Sequence, residues 1–290
     1  MPELQGGGAT PRRPAISVIV PTYNSAGVIA AALASVMAQG YDNLEILVID
    51  DGSSDATVDV ARAACPAARI FAQANSGAAS ARNKGLREAT GELIAFLDAD
   101  DTWFEGKLDA QVAALSAHAD VGFVFTDWLV GAEPPDWNSQ AGQELRAGWP
   151  RADEIDPELS GWLYAPLLFS VVIHTSTLLL RRELARETGF FDETLRRGQD
   201  YDYWLRMSRI AQGVKLKRPF SLYRQHPDNA IRKPQPRNYA YEILSGALRK
   251  WGTRGPDGSV LRSPADVRPG DQLTTRVAGG DVRSTVAPDE

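Results

Sequence analysis

Two aliphatic runs in this chain end in carboxylates. Ile46-Leu47-Val48-Ile49 leads into Asp50-Asp51-Gly52-Ser53, and Leu93-Ile94-Ala95-Phe96-Leu97 leads into Asp98-Ala99-Asp100-Asp101. Apolar runs of this length bounded by turn residues predict buried parallel strands, and open α/β sheets bind ligands outside the carboxyl ends of such strands. The five aspartates are therefore expected on one rim. Carboxylates brought that close repel one another unless a cation or a hydrogen-bond donor lies between them. A hard divalent cation, Mn²⁺ or Mg²⁺, with a polar, nitrogen-rich ligand such as a nucleoside diphosphate meets that need. Asp98 and Asp100, one residue apart, can divide the work, one contacting the metal and the other a sugar hydroxyl or a metal-bound water. Acids after strands also simply cap the next helix. Asp50 and Asp51 can accept from a base imide N–H or a ribose hydroxyl, and Pro21-Thr22-Tyr23-Asn24 offers an aromatic face for a pyrimidine.

The elements that would hold these residues follow from periodicity. Ile16–Val20 reads as a strand stopped by Pro21, and Ser25 opens a helix whose Ile29, Leu33, Val36 and Met37 recur at helical spacing until Gly40. Ile46–Ile49 reads as the next strand, followed by a helix capped by Ser54 or Asp55 and reaching about Ala64, and by a short strand near Arg69–Ala72. A helix over roughly Gly77–Ala89 then delivers Leu93–Leu97. Strand and helix in alternation predict an α/β fold with a mostly parallel central sheet and helices on both faces. Beyond Asp101 a helix around Leu108, Val112 and Leu115 precedes a strand at Val121–Phe125. Trp128 to Trp162, holding Trp137, Trp149 and Pro134, Pro135, Pro150 and Pro157, reads as a long binding loop whose indoles either stack on sugars or pack. A strand at Thr177–Leu180, helices through Glu187 and from near Asp200, and a β-rich segment at Val214–Arg224 complete the regular part. By spacing alone Asp200 is a helix N-cap, and Asp202 with Arg206 an i,i+4 ion pair.

Ile16-Ser17-Val18-Ile19-Val20-Pro21-Thr22-Tyr23-Asn24, Val48 to Asp55, Asn75-Ser76-Gly77 with Ala81-Arg82-Asn83, and Phe96 to Asp101, taken in order, resemble the motif set of the family 2 glycosyltransferases over about Ala15 to Asn229. The resemblance implies a GT-A fold, an inverting mechanism, a nucleotide-sugar donor (UDP- or dTDP-linked), a divalent metal and a glycan, lipid-linked or small-molecule acceptor. Carried over by position, Pro21, Tyr23 and Asp51 resemble nucleobase-binding residues, with Asn24 and Asp50 beside them. Asp98 and Asp100 resemble the acidic motif for ribose and metal, and Asp101 an accessory to it. Gly189-Phe190-Phe191-Asp192-Glu193 followed by Gln199-Asp200-Tyr201-Asp202 resembles the segment bearing the catalytic base and places that role on Asp200. His226 falls where relatives often carry a histidine near the diphosphate, so it is a metal or phosphate contact or a surface residue. Arg82 and Lys84 either neutralise phosphate or decorate a helix, and His174 is structural or touches acceptor. The chain accordingly divides into a leader at 1–14, a nucleotide-sugar-binding half at 15–105, an acceptor-binding half at 106–250 and a C-terminal appendage at 251–290. Segments of that appendage, Asp257–Ser263, Val267–Arg276 and Gly280–Val286, resemble the tail of the exodeoxyribonuclease VII large subunit and suggest a hairpin of Leu273–Val277 with Val282–Val286, without nuclease chemistry.

Bulk composition sets the limits. At 290 residues and 43% hydrophobic the chain can bury a sizeable core, and its charge of −6 argues against a generally basic nucleic-acid surface. The single cysteine, Cys65, excludes an intrachain disulfide and a cysteine-based zinc site. No run approaches the ~18 apolar residues of a membrane span, so a cytoplasmic protein is expected, with peripheral membrane association left open. A sugar nucleotidyltransferase would need a Gly-rich basic loop after the first strand, which Pro21-Thr22-Tyr23-Asn24 is not. A non-catalytic nucleotide-sugar or carbohydrate-binding protein would not need Asp51, Asp98, Asp100 and Asp200 together.

Overall fold

Ile16–Thr22 is buried at every position, as a strand covered on both faces must be, and this β1 sits inside the sheet with a parallel neighbour on each side. The computed structural model describes residues 13–226, 238–251, 253–254, 268, 271–277 and 280–285. After β1 the chain alternates through α1 (Ile29–Met37), β2 (Leu44–Asp50), α2 (Thr57–Ala64), β3 (Arg69–Ala72), α3 (Ala78–Glu88) and β4 (Leu93–Phe96). These four strands lie parallel in the order β3-β2-β1-β4. The register sets Thr22 beside Asp50 and Ile19 beside Phe96, so the chain leaves β1, β2 and β4 at one edge. Helix α3 lies close on β1 because Gly85 has no side chain: a Cβ there would come within 2.3 Å of Ile19 Cγ2.

The second half contains β5 (Thr102–Trp103), α4 (Lys107–Ala117), β6 (Val121–Gly131), α5 (Gln140–Ala147), β7 (Ile155–Gly161), α6 (Tyr164–Phe169), one 3₁₀ turn (Thr175–Thr177), β8 (Leu179–Arg181), α7 (Arg182–Thr188), α8 (Gln199–Met207) and β9 (Gln212–Arg224). The sheet continues from β4 as β8-β6-β9-β5, with β7 also on β9. It is mixed beyond β4, where a mostly parallel sheet was expected: β8 runs antiparallel to both β4 and β6. The reason is local. Ser176 is already held at the rim, its Oγ accepting from Asp98 N at 3.1 Å and its carbonyl from Trp103 Nε1 at 2.7 Å, so the strand that follows can only run away from the rim.

The stretch from Trp128 to Trp162 is ordered structure rather than one long loop. Strand β6 runs on to Gly131, Ser139 caps α5 by accepting from Gly142 N at 3.0 Å, and β7 carries Pro157 on a strand at the sheet margin, where a missing N–H is tolerated. Trp137 and Trp149 pack on each other and on Phe104, with ring centroids 5.3 Å apart for Trp137–Trp149 and Trp137–Phe104.

Two apolar layers flank the sheet, one under α1, α2 and α4 and one under α3, α6 and α8. The second layer also takes in α9 (Tyr239–Trp251) and, from beyond β10 (Thr253–Arg254), the hairpin of β11 (Gln272–Val277) and β12 (Gly280–Thr285). The hairpin forms as expected, though pairing begins at Val277 with Gly280. Its separateness does not hold. Leu273 is fully buried in the α3/α6/α8 layer, and the Trp251 ring lies 6.2 Å from that of Tyr164 with the Arg209 guanidinium 5.2 Å from each. The leader, apart from 13–14, and most of 251–290 lie outside the described residues. Among the described residues no helix is long and apolar enough to cross a membrane.

Candidate active site

At the rim where β1, β2 and β4 end, the central group is a cation. Arg82, near the middle of α3, is 4% exposed, and its Nη2 donates to Asp98 Oδ1 at 2.6 Å. Its Nε and Nη1 are buried with no hydrogen-bond partner, and its guanidinium carbon is 5.7 Å from the Phe191 ring centroid. Burial opposes its charge, but Asp98, Asp200 and Asp100 outweigh that and hold it protonated more firmly than an ordinary arginine. Of the two readings for Arg82, decoration of a helix is excluded. It sits among carboxylates drawn from the end of β4 and the start of α8.

Asp200 occupies the second position of α8, while Gly198, at φ +72°, takes the N-cap. That corrects the expectation of an aspartate cap, and the left-handed φ explains why glycine stands there. Asp200 Oδ1 accepts from Tyr201 N at 2.8 Å, and Oδ2 from Thr175 Oγ1 at 3.4 Å. The expected Asp202–Arg206 pair is present at 2.9 Å, and Arg206 also donates to the carbonyls of Thr188 and Phe190. The segment leading to α8 is fixed from α3: Asn83 donates to Phe191 O at 2.9 Å and to Glu193 Oε1 at 2.8 Å, and accepts from Phe191 N at 2.8 Å.

Asp101 faces inward. It is 1% exposed, accepts from Ser176 Oγ and from Arg224 N at 3.1 Å, and lies 3.7 Å from His174 Nε2. Burial, then Asp98 and Asp100, push its carboxyl well above the usual carboxylate range. Burial pushes His174 below its ordinary value against the pull of Asp98, Asp200 and Asp100. The His174 ring is stacked at 5.6 Å on Trp128 and meets Tyr223 edge-on at 5.0 Å. Asp101 is thus a buried brace under the rim, and His174 a neutral member of an aromatic group beside it.

Asp51 organises the loop before α3, accepting from Gln73 Nε2 at 2.8 Å, Ser76 N at 2.9 Å and Gly77 N at 2.7 Å. Asp50 accepts from Ser53 N at 3.2 Å, and its Oδ1 is buried without a hydrogen-bond partner. Asn24, at φ +48°, ties the β1 end to the β2 end: its N donates to Ser53 Oγ and its Oδ1 accepts from Ser54 N at 2.8 Å. Pro21 is buried beneath, and Tyr23 stands out 51% exposed. From sequence Gln73 was not singled out, and Thr175 and Ser176 were given no roles of their own. No spacing marks them, because each acts through a contact made only when distant segments meet.

His226 Nε2 lies 2.9 Å from Asp100 Oδ2, with the two side chains 29% and 31% exposed. A carboxylate and an imidazole side by side suit a divalent cation such as Mn²⁺. Among the described residues no three histidine, cysteine or acidic side chains could hold a metal by themselves. A pair fits a cation that completes its shell with substrate phosphates and water, as Mg²⁺ and Mn²⁺ do. Asp98 accepts from Arg82 through Oδ1, so its second oxygen is the one better placed to serve a metal or a ribose.

A mixed α/β sheet with this acidic rim is the GT-A arrangement. Residues 17–184 match the family described as Glycosyl transferase family 2, more than half of the chain, and the chain belongs to that family. It is 32% identical over 199 residues to an uncharacterized glycosyltransferase of Rickettsia typhi, covering 68% of this chain and 60% of that protein. It is 30% identical to the putative teichuronic acid biosynthesis glycosyltransferase TuaG of Bacillus subtilis, covering 73% and 75%. The chain spans 60% of the Rickettsia typhi relative and 32% of one from Rickettsia felis. Among solved structures, S. aureus TarS 1-349 in complex with UDP-GlcNAc superposes with a TM-score of 0.65 at 21% identity over 81% of this chain and 67% of that one. The mannosyltransferase PcManGT from Pyrobaculum calidifontis, in complex with GDP-Man and Mn²⁺, gives 0.55 at 22% identity over 82% and 75%. These likenesses define the fold.

Proposed function

We propose that the protein is an inverting glycosyltransferase that moves a sugar from a UDP- or dTDP-sugar to a hydroxyl acceptor in cell-surface glycan synthesis. The observation that carries the reading is Arg82 buried among Asp98, Asp100 and Asp200, which brings acids from β4 and α8 into one cluster. Tyr23 offers an exposed ring for the base, and Asp50 a buried, unpartnered oxygen for a base or ribose donor. Asp51, Asn24 and Pro21 shape the loops around them, and Asp98 serves the ribose side. Asp100 and His226 would hold the divalent metal, Mn²⁺ or Mg²⁺, which when bound offsets charge on the departing diphosphate. Arg82 keeps the carboxylates from repelling one another before donor arrives, and Asp101 holds the rim from beneath. Asp200, set by Tyr201 N and Thr175, takes the proton from the acceptor hydroxyl as its oxygen attacks the anomeric carbon opposite the leaving group. One displacement suffices, and no covalent sugar–enzyme bond forms. The UDP-GlcNAc and GDP-Man bound to the two structural relatives and the teichuronic acid role in the name of the Bacillus subtilis protein support the donor and acceptor classes.

The test is a panel of UDP-, dTDP- and GDP-sugars with Mn²⁺, scored for donor hydrolysis and then for transfer, using wild type and Asp200→Asn. Turnover in the variant is expected to fall by roughly 10²–10⁴ with nucleotide binding retained. Wild-type turnover in Asp200→Asn overturns the base assignment, and no hydrolysis of any donor overturns the function.

A further inference from the structure

A second concavity lies away from the rim, between the end of α3, the start of β4 and α7. It encloses ≈ 300 Å³. Leu86, Ile94 and Ala185 make an apolar floor, and Arg87, Arg182 and Arg186 stand around it. No carboxylate is among its lining residues, in a chain whose overall charge is −6.

The segregation is written into α7. Arg182, Ala185, Arg186 and Gly189 recur at helical spacing and line the cavity. Glu183 and Glu187 follow their arginines by one residue, which turns them about 100° away, and both are exposed. Arg182 is partly anchored, its Nη1 donating to Thr90 O at 2.8 Å while its Nε is buried without a partner.

One wall is an exposed aromatic on a hydrogen-bonded backbone. Phe190 is 53% exposed, with the Arg87 guanidinium 5.3 Å from its ring. Its loop is clamped from both sides, by Arg206 on the Thr188 and Phe190 carbonyls and by Asn83 on Phe191. An exposed apolar ring on an anchored backbone, beside three cations and an apolar floor, matches the chemistry of a phospholipid surface, with anionic head groups outside and hydrocarbon just beneath.

We propose that this cavity docks the protein on a membrane rich in anionic phospholipid. Arg87, Arg182 and Arg186 take the phosphodiester groups, the floor takes the upper acyl segment, and Phe190 enters the interface. Ile94 lines the cavity near the start of β4, and Asp98 follows the far end of that strand, so the cavity and the acidic rim lie towards opposite ends of β4. The inference does not depend on the donor or acceptor assigned above.

The experiment is co-sedimentation with phosphatidylglycerol-containing vesicles and with pure phosphatidylcholine vesicles, for wild type, Arg87→Gln/Arg186→Gln and Phe190→Ser. Wild type is expected to prefer the anionic vesicles. Each arginine removed should weaken partitioning roughly five-fold, so the double variant loses about 25-fold and shows a shallower salt dependence. Phe190→Ser should bind more weakly at every salt concentration. The altered side chains are exposed, and an unchanged circular dichroism melt verifies folding. Equal binding to both vesicle types, no vesicle binding, or wild-type affinity in the double variant overturns the proposal. So does saturable binding of monomeric dodecyl phosphate without vesicle binding, since that identifies a soluble amphiphile as the occupant.

Discussion

Replacing Arg82 by methionine keeps an unbranched apolar stem and removes the guanidinium charge that holds the rim together. Arg82 is 4% exposed, while the Asp98 and Asp100 side chains are 28% and 31% exposed. Breaking a buried ion pair from one side costs about 3–5 kcal/mol because the remaining charge is left uncompensated. Here water reaches two of the carboxylates and screens part of their repulsion, which favours the low end, about 3 kcal/mol. With a urea m-value of about 3 kcal/mol/M for a chain of this size, the unfolding midpoint should fall by about 1 M. Tryptophan fluorescence is a suitable probe, since Trp204 is fully buried with its ring 6.3 Å from Phe96. If the cost is electrostatic, Arg82→Met/Asp98→Asn should be more stable than the two single changes sum to, by about 1–2 kcal/mol. A loss under about 1 kcal/mol in the single variant, or simple additivity in the double, refutes the central role given to this cation.

Asp100→Ala should weaken Mn²⁺-dependent UDP binding on the order of tenfold or more, read by calorimetry with and without chelator, while the melting temperature stays within a few degrees. Leu273→Ala should cost about 3 kcal/mol as a core truncation, and a chain ending at Lys250 should melt lower than the full protein, since both lose contacts with the α3/α6/α8 layer. An unchanged melt in the shortened chain would restore the independent appendage expected from composition. Burial works to raise the Glu45 carboxyl, but donation from Ser17, Thr90 and Arg69 wins and holds it below its ordinary 4.5. It therefore contributes stability above that value and loses it as pH falls through the lowered one, so wild type and Glu45→Gln should differ at pH 7 and converge in acid.

The parallel half was legible because β1, β2 and β4 each carry a short apolar run ended by turn residues. Asp50, Asp51, Asp98 and Asp100 sit at those ends, so their place on the rim followed from chain direction alone. The position of β8 was not legible. Leu179–Arg181 is three residues long, and nothing in so short a run distinguishes a parallel from an antiparallel partner. Prolines and tryptophans made 128–162 read as loop, although Pro157 lies at a sheet margin and Trp137 and Trp149 find Phe104 across a long separation. Arg82 was left between two readings because its meaning depends on Asp200, which only tertiary structure brings near. Leu273 was lost in a polar context, where one leucine carries no period.

The place of β8 has a consequence for synthesis. β4, Leu-Ile-Ala-Phe and fully buried, pairs on one side with β1 and on the other with β8, and Leu179 leaves the ribosome 83 residues after Phe96. At about 5–20 residues per second that interval is about 4–17 s, during which an apolar strand stands with one open edge. The nascent first half is thus complete in motif but unprotected in shape, a template for pairing with other chains until its cover arrives. A fragment cut before Leu179 would keep that edge permanently, which makes the parallel half a poor module to excise and ties the solubility of the first hundred residues to a strand encoded in the second half.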